Sequence, residues 1–421
     1  MIAHHKSTRE PGTGAVRAKL LAAAAGVLCG GCEWWGASSY TSPIGGVNGA
    51  PASEQAAPVH VSVIPSDAGH DAPAETTSAD PSRAEGAEPP TPLNVAQVTF
   101  ATEGSDFDPS VTPDGTRIVY ASTQHRKTAD IYIKSIDGRV VTQLTNDTAE
   151  DMNPSVSPDG SRVAFASNRS GNWDVFIMPI AGGRPVQVTN DPGDEIHPSW
   201  SPDGKSLAFC RLGQASGRWE MWVTDASTQA TSQFIGYGLF PQWCPTPGTG
   251  AEGADRILFQ VSRERGQRAF GVWTVDYKDG QASNITELAG SSWAAYINPT
   301  WSPDGKHVVF AAVPSPNEWH ELSQSRPSSS ELWLMNVDGS GRVNLTPGTS
   351  VSLMPAWGSG GRLYFVAARA GVENIWSIDM AAPVRTALGA RGQATTANVP
   401  DEGQAHETPA PPAPTTEGGE R

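Results

Sequence analysis

The sequence is poor in positive charge. It has 29 Lys and Arg against 44 Asp and Glu, so the 421-residue chain carries a formal net charge of −15. Proteins that bind nucleic acid need a basic surface against the phosphates. The charge balance therefore argues against a nucleic-acid partner and favours solubility or a basic partner.

Long hydrophobic runs and catalytic signatures are also missing. The apolar run at residues 20–28 is too short to cross a bilayer. There is no Gly-x-Ser-x-Gly elbow, no His-Glu-x-x-His pair, no phosphate-binding loop and no Cys-x-x-Cys after residue 32. We therefore expect no catalytic residues, no cofactor and no metal. An enzyme would have to build its site on loops.

One phrase recurs along the chain. Four copies read PSVTPDG, PSVSPDG, PSWSPDG and PTWSPDG, at residues 109–115, 154–160, 198–204 and 299–305. Shorter copies, PQWCP and PAWG, stand at residues 241–245 and 355–358. Successive opening prolines, from Pro109 to Pro355, lie 43 to 58 residues apart. A period of this size with a turn motif inside it predicts a repeat architecture.

The phrase predicts a hairpin corner between strands. Pro presets φ for the turn, the Asp side chain bonds nearby backbone, and Gly supplies the left-handed residue. Aliphatic–variable–aromatic triplets follow the corners and start at Ile118, Val163, Leu207, Ile257, Val308 and Leu363. A second set starts at Asp130, Asp174, Glu220, Gly271, Glu331 and Asn374. A third element, mostly Gln/Asn-x-Thr, starts at Gln143, Gln187, Gln233, Asn284 and Asn344. Four short antiparallel strands per repeat are predicted. The repeated acids at the second triplets have a structural interpretation, namely a shared packing role.

A four-stranded unit cannot bury both of its faces alone, so neighbouring units must stack around a ring. Six repeats predict an all-β fold, a six-bladed β-propeller of four-stranded antiparallel blades. With its Leu-Thr…Pro-x-Trp-Ser-Pro-Asp-Gly…Phe-x-Ser pattern, the chain resembles the TolB-type, WD-like propeller repeats over roughly residues 94 to 380. The resemblance implies a role in envelope maintenance. No segment resembles the separate N-terminal α/β domain of TolB proteins, which argues against direct membership of a Tol system.

One spare third element remains, QVT at residues 97–99. We expect it to pair with the last repeat and close the ring. The competitor is TAL at residues 386–388. Cys210 and Cys244 fall in neighbouring blades, where they either form a disulfide or, as we favour, serve as small buried hydrophobes.

The flanks read as export and tether segments. Residues 1–32 are predicted to be a lipoprotein signal peptide, because a basic start and an apolar run end in Gly30-Gly31-Cys32. Cys32 would carry the lipid, and plain secretion or an uncleaved anchor are the alternatives. Residues 33–92 are predicted to be a disordered Pro/Ala-rich tether, with the propeller at 93–383 and a disordered tail at 384–421.

The predicted site is the entry face, which we define as the side where the first strand of each blade begins and where the second strand turns into the third. The corners lie on the opposite side, the corner face. Repeats one to three bring acids and two polar residues to the entry face: Asp106, Asp108, Glu150, Asp151, Asp194, Glu195, Asn153 and His197. Repeats four to six bring mainly apolar residues: Phe240, Trp293, Tyr296, Asn298 and Met354. The longest insertion, residues 313–330, adds Trp319 and His320.

Two interpretations of this face remain open. In the first, aromatic anchors such as Trp319 and Tyr296 bind a partner protein, and acids such as Asp106, Asp151 and Glu195 steer it. In the second, the acids are solvated turn residues and the aromatics pack beneath the loops. A calcium site at Asp106, Asp108, Asp151 and Glu195 is a weaker alternative.

We therefore expect a non-catalytic, lipid-anchored propeller on the periplasmic side of a bacterial envelope, at the outer membrane. It would be a monomer that binds a protein and touches the membrane only through its lipid. The alternative is a carbohydrate-binding module or a propeller-type polysaccharide lyase.

Overall fold

The computed structural model describes residues 93–227, 231–262, 270–314, 327, 329–348, 351–369 and 371–394. They form six four-stranded antiparallel sheets. The first strand of each sheet contacts the first strand of the next, and those of the first and last sheets also meet, so the sheets form a closed ring. The predicted six-bladed β-propeller is confirmed. No helix among the described residues is long and apolar enough to cross a membrane.

The strands follow the chain in regular order after β1 (Val95–Gln97). Blade one contains β2 (Asp106–Val111), β3 (Arg117–Ser122), β4 (Asp130–Ser135) and β5 (Val141–Gln143). Blade two contains β6 (Asp151–Val156), β7 (Arg162–Ser167), β8 (Asp174–Pro179) and β9 (Val186–Gln187). Blade three contains β10 (Glu195–Trp200), β11 (Ser206–Leu212), β12 (Trp219–Asp225) and β13 (Gln233–Tyr237).

Blades four to six repeat the plan with longer strands in blade four. Blade four contains β14 (Leu239–Trp243), a 3-10 turn (Ala251–Gly253), β15 (Asp255–Ser262), β16 (Phe270–Lys278) and β17 (Gln281–Ala289). Blade five contains β18 (Ala294–Trp301), β19 (His307–Pro314), β20 (Glu331–Asn336) and β21 (Val343–Asn344). Blade six contains β22 (Ser352–Trp357), β23 (Arg362–Ala367), β24 (Asn374–Asp379) and β1.

The Pro-Asp-Gly corners have the predicted geometry. In blade two, Gly160 has φ +70°, which L side chains rarely adopt. Asp159 accepts bonds from the Ser157 hydroxyl and from the Ser161 N–H at 3.1 Å. These bonds lower the pKa of Asp159 to about 2. Gly160 also lies against Pro113 of the preceding corner, so the corners form one continuous face.

The third elements lock the outer strands. In blade one, Gln143 donates to Asp130 at 3.0 Å, and the Ile131 N–H donates to the Thr145 hydroxyl at 2.9 Å. Blades two and five repeat both bonds with the corresponding residues, Gln187, Asp174, Val175, Thr189, Asn344, Glu331, Leu332 and Thr346. The structural role expected for the repeated acids is confirmed in these blades.

The ring closes through β1, as predicted. Gln97 lies opposite Trp376 of β24, and the Ile375 N–H donates to the Thr99 hydroxyl at 2.9 Å. The competing residues 386–388 lie instead in helix α1 (Ala381–Ala394). The prediction of a disordered tail from residue 384 is therefore wrong up to residue 394. The helix packs against blade five and buries Ala387.

The core lies between the blades. Aromatic residues of the second strands, among them Phe165, Phe209 and Phe365, are fully buried. Tryptophans of the first strands join neighbouring blades, because Trp200 donates to the Ser155 carbonyl and Trp301 to the Gln242 carbonyl, each at 2.9 Å. Cys210 and Cys244 are both buried and are not joined in a disulfide. The structural interpretation of these cysteines is therefore confirmed.

Candidate functional site: the channel and the entry face

A central channel runs between the six first strands and encloses about 460 Å³. All six repeat phrases line it from the residue before the first proline to the corner. Each first strand carries a β-bulge at this proline, for example between Phe107 and Ser110 in blade one. The recurring proline matches this bulge, because Pro cannot donate to the ladder and is tolerated where pairing is interrupted.

The residue before each of these prolines is in the left-handed region. The φ angles lie between +50° and +54° at Asp108, Asn153, His197, Phe240, Asn298 and Met354. Asp and Asn tolerate this conformation, whereas a bulky side chain does so at a cost on the order of 1–2 kcal/mol. Phe240 and Met354 are therefore strained positions. The six residues form a ring around the channel, which we call the channel ring.

The channel ring is polar on one side and apolar on the other. Asp108 accepts from the backbone and side-chain nitrogens of Asn153, at 3.0 Å and 2.7 Å. The His197 ring lies 3.7 Å from the Phe240 ring, centroid to centroid. His197 is 6% exposed, and neither of its ring nitrogens has a hydrogen-bond partner among the described residues.

Three predicted steering charges are buried instead. Asp106, Asp151 and Glu195 are at most 1% exposed. Arg169 Nη2 lies 2.9 Å from both carboxylate oxygens of Asp151, and Arg211 Nε lies 2.7 Å from Glu195 Oε1.

The assignment of these three acids as exposed steering charges is therefore wrong. The preceding blade covers the start of each first strand, so an acid placed there lies in a blade interface. Burial raises the pKa of all three carboxyls, to about 7 for Glu195.

The aromatic and apolar residues predicted for the entry face divide into two groups. Tyr296, Phe240 and Met354 are less than 10% exposed, and the Tyr296 ring lies 4.6 Å from Phe310 in the core. These three pack beneath the loops, which matches the alternative interpretation. Trp293 is 64% exposed. Trp319 lies outside the described residues, as do His320 and Cys32.

One exposed aromatic residue of the entry face was missed. Phe100 is 60% exposed and leads from the closing element into blade one. Trp293 occupies the corresponding connection into blade five. Both therefore lie on the entry face. The position of Phe100, directly after residues 97–99, was the available signal.

No group of three or more His, Cys, Asp or Glu side chains within the described residues could hold a metal ion. The suggested calcium ligands are separated from one another. Asp151 and Glu195 pair with arginines, and Asp108 bonds to Asn153.

The closed ring, the four-stranded blades and the repeat phrase define a six-bladed β-propeller. Residues 94–246 match the family model described as the TolB beta propeller domain. The match covers about a third of the chain and confirms the resemblance drawn from the Pro-Asp-Gly phrases. A search of curated proteins found no match.

The chain is similar to several solved structures. The chain is 23% identical to a putative TolB from Agrobacterium tumefaciens, at a TM-score of 0.48 over 68% of this chain and 91% of that chain. For TolB from Acinetobacter baumannii the identity is 23% and the TM-score 0.47, over 60% and 57% of the respective chains. For oligogalacturonate lyase from Vibrio parahaemolyticus the identity is 13% and the TM-score 0.46, over 69% and 94%.

Proposed function

We propose that this chain is a non-catalytic β-propeller that binds a protein partner through its entry face, on the periplasmic side of a bacterial envelope. The observation that carries the proposal is the exposure of Trp293, 64% of whose surface is open to solvent on the entry face. Large aromatic side chains are the commonest anchors of protein interfaces.

The loops hold both exposed aromatics in place. The Ser291 hydroxyl accepts from the N–H groups of Trp293 and Ala294, at 3.2 Å and 3.1 Å. Beside Phe100, the Ala101 N–H donates to Asn374 at 2.7 Å. A side chain on an ordered backbone loses less entropy on binding. The loops are thus preorganised for a partner.

The channel offers a second element of recognition. His197 lines the channel, and its two buried ring nitrogens have no hydrogen-bond partner among the described residues, so a polar group of the partner that displaced the local packing would satisfy them. Phe240 and Met354 form an apolar wall around the same space. A partner segment with a polar tip on an apolar stem fits this arrangement.

The anchor belongs to the same proposal. We infer that Cys32 carries a lipid, because an apolar run ends in Gly30-Gly31-Cys32. Residues 33–92, treated as a flexible chain, have an average reach of roughly 45 Å. The propeller would then bind its partner as a monomer at some distance from the outer membrane.

The test is binding kinetics with a partner captured from envelope extract. Trp293→Ala and Phe100→Ala should each weaken binding by roughly 2 kcal/mol, about thirtyfold. Lys205→Ala and Lys306→Ala are matched controls, because both side chains are at least 76% exposed on the corner face. Weaker binding by the lysine variants alone would move the binding face to the opposite side.

The same preparation tests the carbohydrate alternative. A metal that remains bound through purification, together with cleavage of an acidic polysaccharide, would replace the proposed function with a lyase. Retained affinity for a protein partner without either property supports the binding function.

A further inference from the structure

The outer edge of blade three differs from those of blades one, two and five. In those blades the aromatic residue of the third strand faces an amide, as Tyr132 faces Gln143. In blade three the pairing is displaced by one residue at Val223 and Trp222, and a bulge between Trp222 and Met221 follows it. Phe234 therefore faces Trp222, and Gln233 is displaced.

The shift replaces the acid–amide lock with an aromatic surface. Glu220, which occupies the place of Asp130, bonds to Ser216 at 2.7 Å and to the Trp222 indole at 3.1 Å. Because a one-residue slip exchanges the faces of a strand, a phenyl ring occupies the place of the amide. Phe234 is 43% exposed and Tyr237 is 38% exposed.

These side chains form one continuous stack, which we call the rim stack. Its order is Arg211, Trp222, Phe234, Tyr237 and Arg218. The guanidinium carbons lie 4.3 Å from the Trp222 ring and 3.8 Å from the Tyr237 ring. The centroids of Trp222 and Phe234 are 5.6 Å apart and those of Phe234 and Tyr237 are 5.3 Å apart, each pair at 69°.

The geometry of the rim stack favours one class of ligand. A sugar stacks flat on an open ring face, but Trp222 and Tyr237 each carry a guanidinium over a face. Phe234 and Tyr237 instead present a partly exposed aromatic surface of edge-to-face rings, and exposed aromatic surfaces accept the pyrrolidine rings of polyproline II segments. Arg218 is exposed and forms no ion pair with a described residue, so an acidic group on the ligand would complement it.

The chain itself contains such a ligand. Residues 409–417 read PAPPAPTTE, which includes two overlapping Pro-x-x-Pro motifs followed by Glu417. Polyproline II is the preferred conformation of such sequences and costs little entropy to fix. The prolines of this segment suit the aromatic surface of the rim stack, and the Glu417 carboxylate complements the charge of Arg218.

The connecting segment is long enough. Helix α1 ends at Ala394 on the side of blade five, and the residues up to Pro409 span up to about 50 Å when extended. A compact domain of this size has a radius of gyration of about 19 Å. The tail can therefore reach a rim two blades away.

We propose that the outer edge of blade three docks the chain's own C-terminal segment, residues 409–417. In this proposal, proline rings pack on the exposed part of Phe234, and the Glu417 carboxylate pairs with Arg218. The docked tail keeps the rim stack covered, so an external proline-rich ligand must compete with it. This inference does not depend on the function proposed for the entry face.

Site-specific photocrosslinking in the full chain tests the proposal. A benzoylphenylalanine at position 234 should crosslink to peptides within residues 395–421 of the same chain, several times more than a probe at position 186. Val186 is a matched control, since it is 65% exposed on the outer strand of blade two. Pro411→Ala with Pro412→Ala should reduce the crosslink to the control level. Free peptide 409–417 should compete at concentrations on the order of 1 mM, the effective concentration of a tethered segment.

Three outcomes would overturn the proposal. The first is equal crosslinking at positions 234 and 186, and the second is crosslinking only between two chains. The third, in a sample to which anionic vesicles have been added, is crosslinking of position 234 to lipid alone. A second measurement covers the case in which the probe disturbs the fold. A glutamate-specific protease should cleave after Glu417 more slowly in the natural chain than in Arg218→Ala, with cleavage after Glu402 as the reference. Equal cleavage after Glu417 in both chains contradicts the docking.

Discussion

Glu195 and Arg211 face each other across the first two strands of blade three, with 2.7 Å between the carboxylate Oε1 and the guanidinium Nε. Glu195 is completely buried, and its surroundings include Asp174 of blade two, Thr189 and Asp191, which also pairs with Arg211. Burial raises the pKa of Glu195 to about 7, although Thr189 and Arg211 lower it. The blade interface thus contains an acid that titrates near neutral pH.

The first prediction is a pH dependence of stability. Unfolded Glu195 loses its proton near pH 4.5, whereas the folded chain keeps it up to about pH 7. Raising the pH through this window therefore favours unfolding, by an amount on the order of 3 kcal/mol from this group. Glu195→Gln should flatten the dependence of the urea midpoint between pH 4.5 and pH 7.

The control for this prediction is Asp203→Asn at an exposed corner. A bond from Ser201 lowers the pKa of Asp203, so its titration lies below the window. If the urea midpoint of Glu195→Gln depended on pH as steeply as that of the natural chain, Glu195 would be ionised throughout this pH window. Part of the slope should remain, because burial also raises the pKa values of Asp106, Asp130, Asp151 and Asp174.

The second prediction concerns ring closure. Deleting residues 94–99 should destabilise the whole propeller by several kcal/mol, because it removes β1 and the buried bonds of Thr99. Removing residues 395–421 should leave the melting temperature unchanged. Thr99→Ala should cost about 1–2 kcal/mol, with Thr189→Ala as the matched change within blade two. Normal melting after the deletion would show that the ring does not need β1.

The third prediction separates a hydrogen bond from packing. Trp301 and Trp243 occupy equivalent positions and are 4% and 6% exposed. The Trp301 indole donates to the Gln242 carbonyl at 2.9 Å, whereas the Trp243 indole has no partner among the described residues. Trp301→Phe should cost about 1 kcal/mol more than Trp243→Phe in urea unfolding. Equal costs would mean that packing alone determines both.

The fourth prediction concerns the anchor. Cys32→Ser should release the protein from the membrane fraction and remove the mass of the lipid. Cys29→Ser should leave both unchanged, because the small residues Gly30 and Gly31 precede Cys32. A Cys32→Ser protein that remains membrane-bound with unchanged mass would contradict lipidation at this position.

Much of the fold could be predicted because local chemistry repeats. The Pro-Asp-Gly corner needs its left-handed Gly160, and the triplet ending in Phe165 alternates as a buried strand does. The hydrogen bond between Gln143 and Asp130 corresponds to a recurring Gln/Asn-x-Thr sequence pattern. This pattern was enough to place residues 97–99 in blade six. In these cases one short stretch contains all the partners that determine the structure.

The remainder depends on partners from other parts of the chain. Residues 233–235 resemble the other third elements, but they pair with the third strand one residue out of the register seen in blade one, and nothing in the local sequence marks this shift. The burial of Asp151 and Glu195 depends on the neighbouring blade, so a turn-like sequence misled the assignment. Helix α1 is stabilised by its contact with blade five, and its own sequence has no strong hydrophobic pattern from which it could be predicted.

The pairing of β1 with β24 has a consequence for how the protein is made. The two strands are separated in sequence by 281 residues at the contact between Ala96 and Ser377. The strand synthesised first must therefore wait for the one synthesised last, and closure depends on a slow, long-range encounter. A chain that stops before Asp379 exposes an unpaired edge and becomes a target for proteases or aggregation. The ring can therefore close only in a chain that extends through β24.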